Sequence, residues 1–169
     1  MTLFIALLTI LQSFTISLGV GSSTLAIINF FAAIADGVID ETERRMMGIV
    51  YVVLRIAMVL ILVSTLTLIF FSSVETGLLN MSSFTIAQLI TLAALYLNAI
   101  LMTWRIMPST FGPALQAGSW YTLGALSALQ ILGSTGFSLG QFLMGYITWL
   151  VLAVGIVNGV MAILKAKKQ

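Results

Sequence analysis

The sequence predicts an all-α, polytopic integral membrane protein: a bundle of five transmembrane helices, with the amino terminus outside and the carboxyl terminus in the cytoplasm. Three observations carry this expectation. Hydrophobic residues make up 60% of the 169 positions and charged residues 7%, against about 25% charged in an ordinary soluble domain, and the mean hydropathy is +1.17. The apolar residues come in unbroken runs rather than on one face of an amphipathic pattern, so lipid is the solvent that suits them. Six of the seven basic residues fall at the same ends of those runs, which gives the bundle an orientation.

A spanning helix needs about 20 apolar residues. On that measure the chain reads as one transmembrane domain, residues 1–169, with spans at about 3–35, 46–71, 84–104, 113–132 and 139–164. The first run has no basic residue ahead of it and is too long for a signal peptide, so it reads as a retained span. An unbroken helix over 3–35 would be about 50 Å long against a hydrocarbon core of about 30 Å. Its middle, Gly19-Val-Gly-Ser-Ser-Thr24, is its most polar and least helix-prone stretch. A kink or break is therefore expected at residues 19–23.

The connection to the second span runs Asp36-Gly-Val-Ile-Asp-Glu-Thr-Glu43. Gly37 is suited to end a helix, and Asp40 with Glu43 three residues on has the spacing of a capping box. The same letters match the second half of an EF-hand loop. The first half is missing, because Ala32 and Ile34 stand where acidic ligands belong. The capped turn is the favoured reading, and no metal site is expected.

Within the second span stands Arg55, the one charge in an otherwise apolar stretch. A charge at the bilayer centre costs at least about 2.5–3.5 kcal/mol on insertion scales, so something should offset it. Its nearest acids within the hairpin, Asp36 and Glu75, are nineteen and twenty residues away, roughly 28–30 Å along straight helices. If the hairpin turns near Val38, Arg55 lies level with Gly21. Arg55, Gly19, Gly21, Ser22, Ser23 and Thr24 are thus the candidate ligand-binding residues, as an anion site at a broken helix. Against this stands the possibility that Arg55 snorkels to headgroups and that the glycines only let helices approach closely.

The remaining spans each carry a polar or small stripe at helical spacing. Pro113 belongs in the first turn of the fourth, where its missing N–H costs nothing. Gln88, Thr91, Asn98 and Met102 share a face of the third; Gln116, Ser119, Ser127, Gln130 and Ser134 of the fourth; Gln141, Gly145, Thr148, Gly155 and Gly159 of the fifth; and the first adds Thr9, Gln12, Gly19 and Ser23. A helix surrounded by lipid has no use for such a stripe. Gln12, Gln88, Asn98, Gln116, Ser127, Gln130 and Thr148 are the candidates for a polar path, with interhelical packing as the competing role. Trp104, Trp120, Trp149, Tyr121 and Tyr146 suit interfacial or packing positions.

Orientation follows from Arg44 and Arg45 after the first span, Arg105 after the third, and Lys165, Lys167 and Lys168 after the fifth. All would share the cytoplasmic face.

Absences narrow the chemistry. With no cysteine or histidine, disulfides, Cys/His zinc sites and His- or Cys-held haem are excluded, and no cofactor is expected. No Asp or Glu lies in the spans, so no carboxylate proton relay or catalytic pair forms there, and an enzyme is not expected. Seven basic residues without interleaved aromatics do not make a nucleic-acid surface. The expected function is a small transporter or channel subunit of a bacterial inner membrane, assembled as a homo-oligomer, that binds or passes a small polar or anionic solute near Arg55. The alternative is a non-transporting scaffold or accessory subunit that packs against a partner membrane protein.

Overall fold

The computed structural model describes residues 2–36, 40–76, 81–108 and 111–166. These form five α-helices: α1 (Thr2–Asp36), α2 (Glu41–Thr76), α3 (Ser83–Thr103), α4 (Gly112–Ile131) and α5 (Leu139–Ala166). Among the described residues four helical segments are long and apolar enough to cross a membrane: Leu3–Ala33, Glu41–Ser72, Ser83–Thr103 and Leu139–Leu164. Those are the elements of an integral membrane protein.

α4 falls short of that apolarity for a physical reason. It lies against α1, α3 and α5, and its buried face carries Gln116, Gly118, Ser119 and Trp120. A helix walled by other helices need not be apolar, and small residues on it let its neighbours come close.

Helix starts follow local chemistry. At α2 the Glu43 N–H donates to Asp40 Oδ1 at 2.6 Å and the Asp40 N–H donates back to Glu43 Oε2 at 3.2 Å, the reciprocal pair of a capping box. Both carboxylates are thereby engaged at the helix N-terminus, and among the described residues no group of three metal-ligating side chains occurs. Gly37, expected to end α1, lies outside the described residues, as do Lys167 and Lys168. α5 begins on a second such box, with Gln141 N–H donating to Ser138 Oγ and Ser138 N–H to Gln141 Oε1. At α3 the Ser82 hydroxyl accepts from Thr85 N–H at 3.2 Å. Pro113 sits in the first turn of α4.

Two helix ends share one device. After α4, Ser134 N–H donates to Leu129 O and Gly133 N–H to Gln130 O, with Gly133 at φ 70°; after α3, Ile106 N–H donates to Leu101 O and Arg105 N–H to Met102 O, with Arg105 at φ 56°. Both are Schellman motifs, which call for a left-handed residue and favour glycine. Arg105 therefore carries a side chain where one is sterically disfavoured. Arg105→Gly should raise stability by about 1 kcal/mol relative to Arg105→Ala, which removes the same charge but keeps the Cβ. Reversible unfolding in mild detergent measures it, and equal stability of the two variants would remove the strain.

α1 runs without interruption through residues 19–24, which corrects the break expected there. Two of the three hydroxyls that made the stretch look helix-averse are engaged within the helix: Ser23 Oγ and Thr24 Oγ1 both donate to Val20 O, at 3.0 and 2.7 Å. No backbone group is freed for a ligand. The glycine at the centre of this stretch answers to packing instead, because a Cβ on Gly19 would lie 2.3 Å from the Trp120 ring.

α1 and α2 form a close antiparallel hairpin. Gln12 Nε2 donates to Thr65 Oγ1 at 2.9 Å, and Phe4 meets Phe71 edge to face at 5.6 Å, so paired residue numbers sum to 75–77, as a turn near Val38 requires. α2 meets α3 and α4 mainly through side chains. Tyr96 reaches across to donate its hydroxyl to Met58 O at 2.6 Å, and Gln116 Nε2 approaches Met58 Sδ at 3.6 Å.

An apolar cluster fills the middle of the bundle. Ile16 of α1, Ala57 and Ile61 of α2, Leu92 and Leu95 of α3 and Trp120 and Leu123 of α4 form one buried cluster.

Candidate functional site

Antiparallel packing of α1 to α4 brings the polar residues of distant spans to two levels. At the end holding the α1 N-terminus, two adjoining cavities of about 290 and 240 Å³ share Thr9, Gln12, Gln88 and Gln130 in their walls. Ser127 lines the second of them, and Thr65, Thr85 and Ser72 the first. We call this the outer chamber. Its polar groups are neutral carboxamides and hydroxyls, each able both to donate and to accept, set among apolar residues such as Leu68, Phe71 and Phe84. Gln12 is held by Thr65.

At the opposite end, a half-open cavity of about 310 Å³ lies among all four helices. Arg55 and Tyr51 of α2, Ser23 of α1, Thr103 of α3 and Gln116 of α4 supply its polar groups, and Phe30, Met58 and Met102 are among its apolar ones. We call this the inner chamber. Arg55 is exposed and makes no ion pair or hydrogen bond among the described residues. Arg44, Arg45 and Arg105 lie at this same end of the bundle.

The floor of the inner chamber is a buried amide pair. Asn98 Nδ2 donates to Gln116 Oε1 and to Gly112 O, both at 2.9 Å. This turns the Gln116 amide so that its own Nε2 faces the Met58 sulfur, a weak acceptor. Asn98 Oδ1 is buried with no partner among the described residues.

Between the chambers stands the dry cluster around Trp120. On α1 the outer chamber reaches Ile16 and the inner one begins at Ser23, a gap of seven residues or about 10 Å of helix. The Trp120 indole N–H lies in this layer, buried and without a partner among the described residues, although a buried tryptophan ordinarily finds one.

Of the ligand candidates in the sequence, Arg55 and Ser23 line one cavity. The other four do not join them. Gly19 is the seat of Trp120, and Gly21 has nothing within 4 Å of where a Cβ would be. Ser22 is buried. Thr24 turns to α4, where the Tyr121 hydroxyl lies 2.6 Å away; since Thr24 donates its one proton to Val20 O, Tyr121 must be the donor.

Of the path candidates, Gln12, Gln88, Ser127 and Gln130 meet in the outer chamber, and Asn98 and Gln116 meet beneath the inner one. Thr148 belongs to neither. The fifth-helix stripe differs from the expectation as a whole, because Gln141, Gly145, Thr148, Gly155 and Gly159 are all on the exposed face of α5. The inward face is Tyr146, Ala153, Val157 and Met161. The reason is the α4 contact: Gly118 and Ser119 of α4 leave room for bulky partners, so Trp149 Nε1 donates to Gly118 O at 3.0 Å and the Tyr146 hydroxyl lies 2.9 Å from Ser119 Oγ. Large residues of α5 fill the small ones of α4, and the glycines of α5 are left outside.

Thr65, Tyr96, Met58 and Met102 were not legible as site residues. Met102 stood on the polar stripe of the third span without a role, and nothing in the letters set Thr65, Tyr96 or Met58 apart. Only the register between helices reveals them. No protein-family model, curated protein or solved structure matches this chain.

Proposed function

We propose that this chain is a small membrane transporter or channel subunit that binds or passes a small polar or anionic solute, with Arg55 at the mouth of its inner chamber. The observation that carries the reading is the pair of chambers, each with polar side chains set in an apolar wall, at opposite ends of the same four helices and separated by a layer about 10 Å deep. Binding sites for solutes in helical transporters are built between helices near the bilayer midplane, with polar groups facing a cavity. A fold with no such task gains nothing from carrying glutamines on three different helices to one place, because an amide facing an apolar membrane interior must be satisfied or hydrated.

In this reading α4 is the fifth crossing, shielded from lipid by its neighbours. The end bearing Arg44, Arg45 and Arg105 faces the cytoplasm, by the bias of basic residues, and the membrane is a bacterial inner membrane. An anion entering from that side meets Arg55 and the Gln116 amide, both donors. It then meets the Trp120 indole N–H, and finally the neutral amides of the outer chamber. Passage requires the dry layer to rearrange. α2 is the natural moving part, since among the described residues it is tied closely only to α1, whereas α1 is docked on α4.

Cysteine accessibility tests this, since the chain has no native cysteine. Single cysteines at Ser127 and Ser23 are expected to react with a membrane-impermeant thiol reagent, each from its own side, while one at Leu92 in the dry layer stays protected. Protection at both chamber positions would sink the conduit.

One observation favours a second reading, an accessory subunit that packs against another membrane helix. Gly155 and Gly159, four residues apart, are exposed on α5 with open space above each, a spacing that lets transmembrane helices approach closely. Under that reading the polar groups of both chambers serve only to pack α1 to α4 together, and neither cysteine reacts.

A further inference from the structure

The inner chamber has a form that narrows the class of solute. The geometry points to an amphiphilic anion, a lipid-like molecule with a phosphate or carboxylate head, as the ligand held between Arg55 and Gln116. The inference rests on the functional reading above and specifies its ligand.

The head is dictated by the donors. Arg55 brings a guanidinium with no acceptor of its own among the described residues. Gln116 is 6% exposed, and its Nε2 faces only a sulfur. A guanidinium presents five N–H groups in a fork that matches carboxylate and phosphate oxygens. No described acid lines the chamber, so an anion meets no repulsion there.

The tail is dictated by the rest of the wall. Ile27, Phe30, Leu54, Met58 and Met102 make most of it apolar, a poor lining for a hydrated inorganic ion, which would exchange water for hydrocarbon. Methionines suit an occupant of variable shape because their side chains are unbranched and polarizable. The cavity of about 310 Å³ equals the liquid volume of about ten water molecules, enough for a headgroup and the beginning of a chain.

The route is lateral. α2 and α3 both wall the half-open chamber and meet through side chains such as Tyr96 rather than along their backbones, which leaves room for entry between them. Arg55 and Tyr51 are exposed at that seam. Arg55 is ten residues beyond Arg45, about 15 Å deeper along α2. An amphiphile already in the leaflet can bring its head to Arg55 without its chain leaving hydrocarbon.

Native mass spectrometry of the purified chain in non-ionic detergent tests this with four probes: phosphatidylglycerol, phosphatidylcholine of the same acyl chains, oleate and inorganic phosphate. Phosphatidylglycerol and oleate should bind at least about tenfold more tightly than phosphatidylcholine, the scale of one charge-assisted hydrogen bond. That preference should vanish in Arg55→Gln and persist in Arg55→Lys. Ala26→Phe, which fills the chamber and keeps the charge, should also lower anionic-lipid binding; a charge acting only on the headgroup layer would be indifferent to it. Equal binding of the two phospholipids, or a preference unchanged by both Arg55→Gln and Ala26→Phe, overturns the proposal. Inorganic phosphate binding as tightly as oleate overturns it too. If Arg55-dependent flux of a small anion into liposomes then persists, the transport reading survives with a small solute in place of the amphiphile.

Discussion

Gly19→Ala is expected to destabilise the bundle by about 1–3 kcal/mol, the usual cost of forcing a methyl group into a packed core. In an exposed helix the same change would be favourable, since alanine is the better helix former by about 1 kcal/mol. The sign is reversed here by one neighbour. The added Cβ would lie 2.3 Å from two Trp120 ring atoms, inside any real contact distance, and Trp120 is wholly buried. A rigid indole enclosed by Ile16, Ile61, Leu95 and Leu123 cannot swing aside as a flexible chain end would. α1 and α4 would have to separate, and with them the nearby contact in which Gly124 admits Val20. Gly21 serves as the internal control: it is in the same helix two residues on, with nothing within 4 Å, and Gly21→Ala should be neutral or slightly stabilising. Unfolding of both variants under identical detergent conditions gives the comparison. If Gly19→Ala is as stable as Gly21→Ala, the α1–α4 packing described above is wrong. A double change, Gly19→Ala with Trp120→Leu, should recover part of the loss, because the clash is between those two groups alone.

Arg55→Leu is expected to reduce flux of an anionic solute into proteoliposomes by about 10- to 100-fold, equivalent to the 1.5–3 kcal/mol of a hydrogen bond to a charged group. Stability should move the other way. The guanidinium has no partner among the described residues, and leucine in an apolar span removes the cost of holding a charge there. The opposed signs are what distinguish a functional charge from a structural one: a residue that only held the bundle together would lose flux and stability in parallel. Arg55→Lys should retain more flux than Arg55→Leu but less than the parent, since an ammonium keeps the charge and loses the bidentate fork. Wild-type flux in Arg55→Leu, with folding intact, would take Arg55 out of the mechanism.

The sequence by itself located the five helices of the described residues and most of their ends. Segments expected at 84–104, 113–132 and 139–164 lie in helices Ser83–Thr103, Gly112–Ile131 and Leu139–Ala166, while α2 runs five residues past its expected 46–71 at each end, and α4 is not among the four segments apolar enough to cross a membrane. Both the apolar runs that make helices in lipid and the Ser, Asp and Gly signals that start and stop them are local properties of the chain. The hairpin register was legible for the same reason, because a short turn fixes which residues of two antiparallel helices lie level. The residue singled out, Arg55, was legible from charge alone.

What only the tertiary structure decided is which face of each helix looks inward. In a soluble helix the apolar side reveals it, but here both faces are apolar, since lipid and core make the same demand. A stripe of small or polar residues then has two meanings that the letters cannot separate. On α1, α3 and α4 the stripes converge, giving the outer amides and the Asn98–Gln116 pair. On α5 the stripe points away, because Gly118 and Ser119 of α4 had already made room for Trp149 and Tyr146. The unbroken course of α1 has the same origin: Gly19 and Gly21 favour a break in isolation, and the fit of Gly19 against Trp120 is a contact with a residue about a hundred positions away, which no local property of the first span could announce.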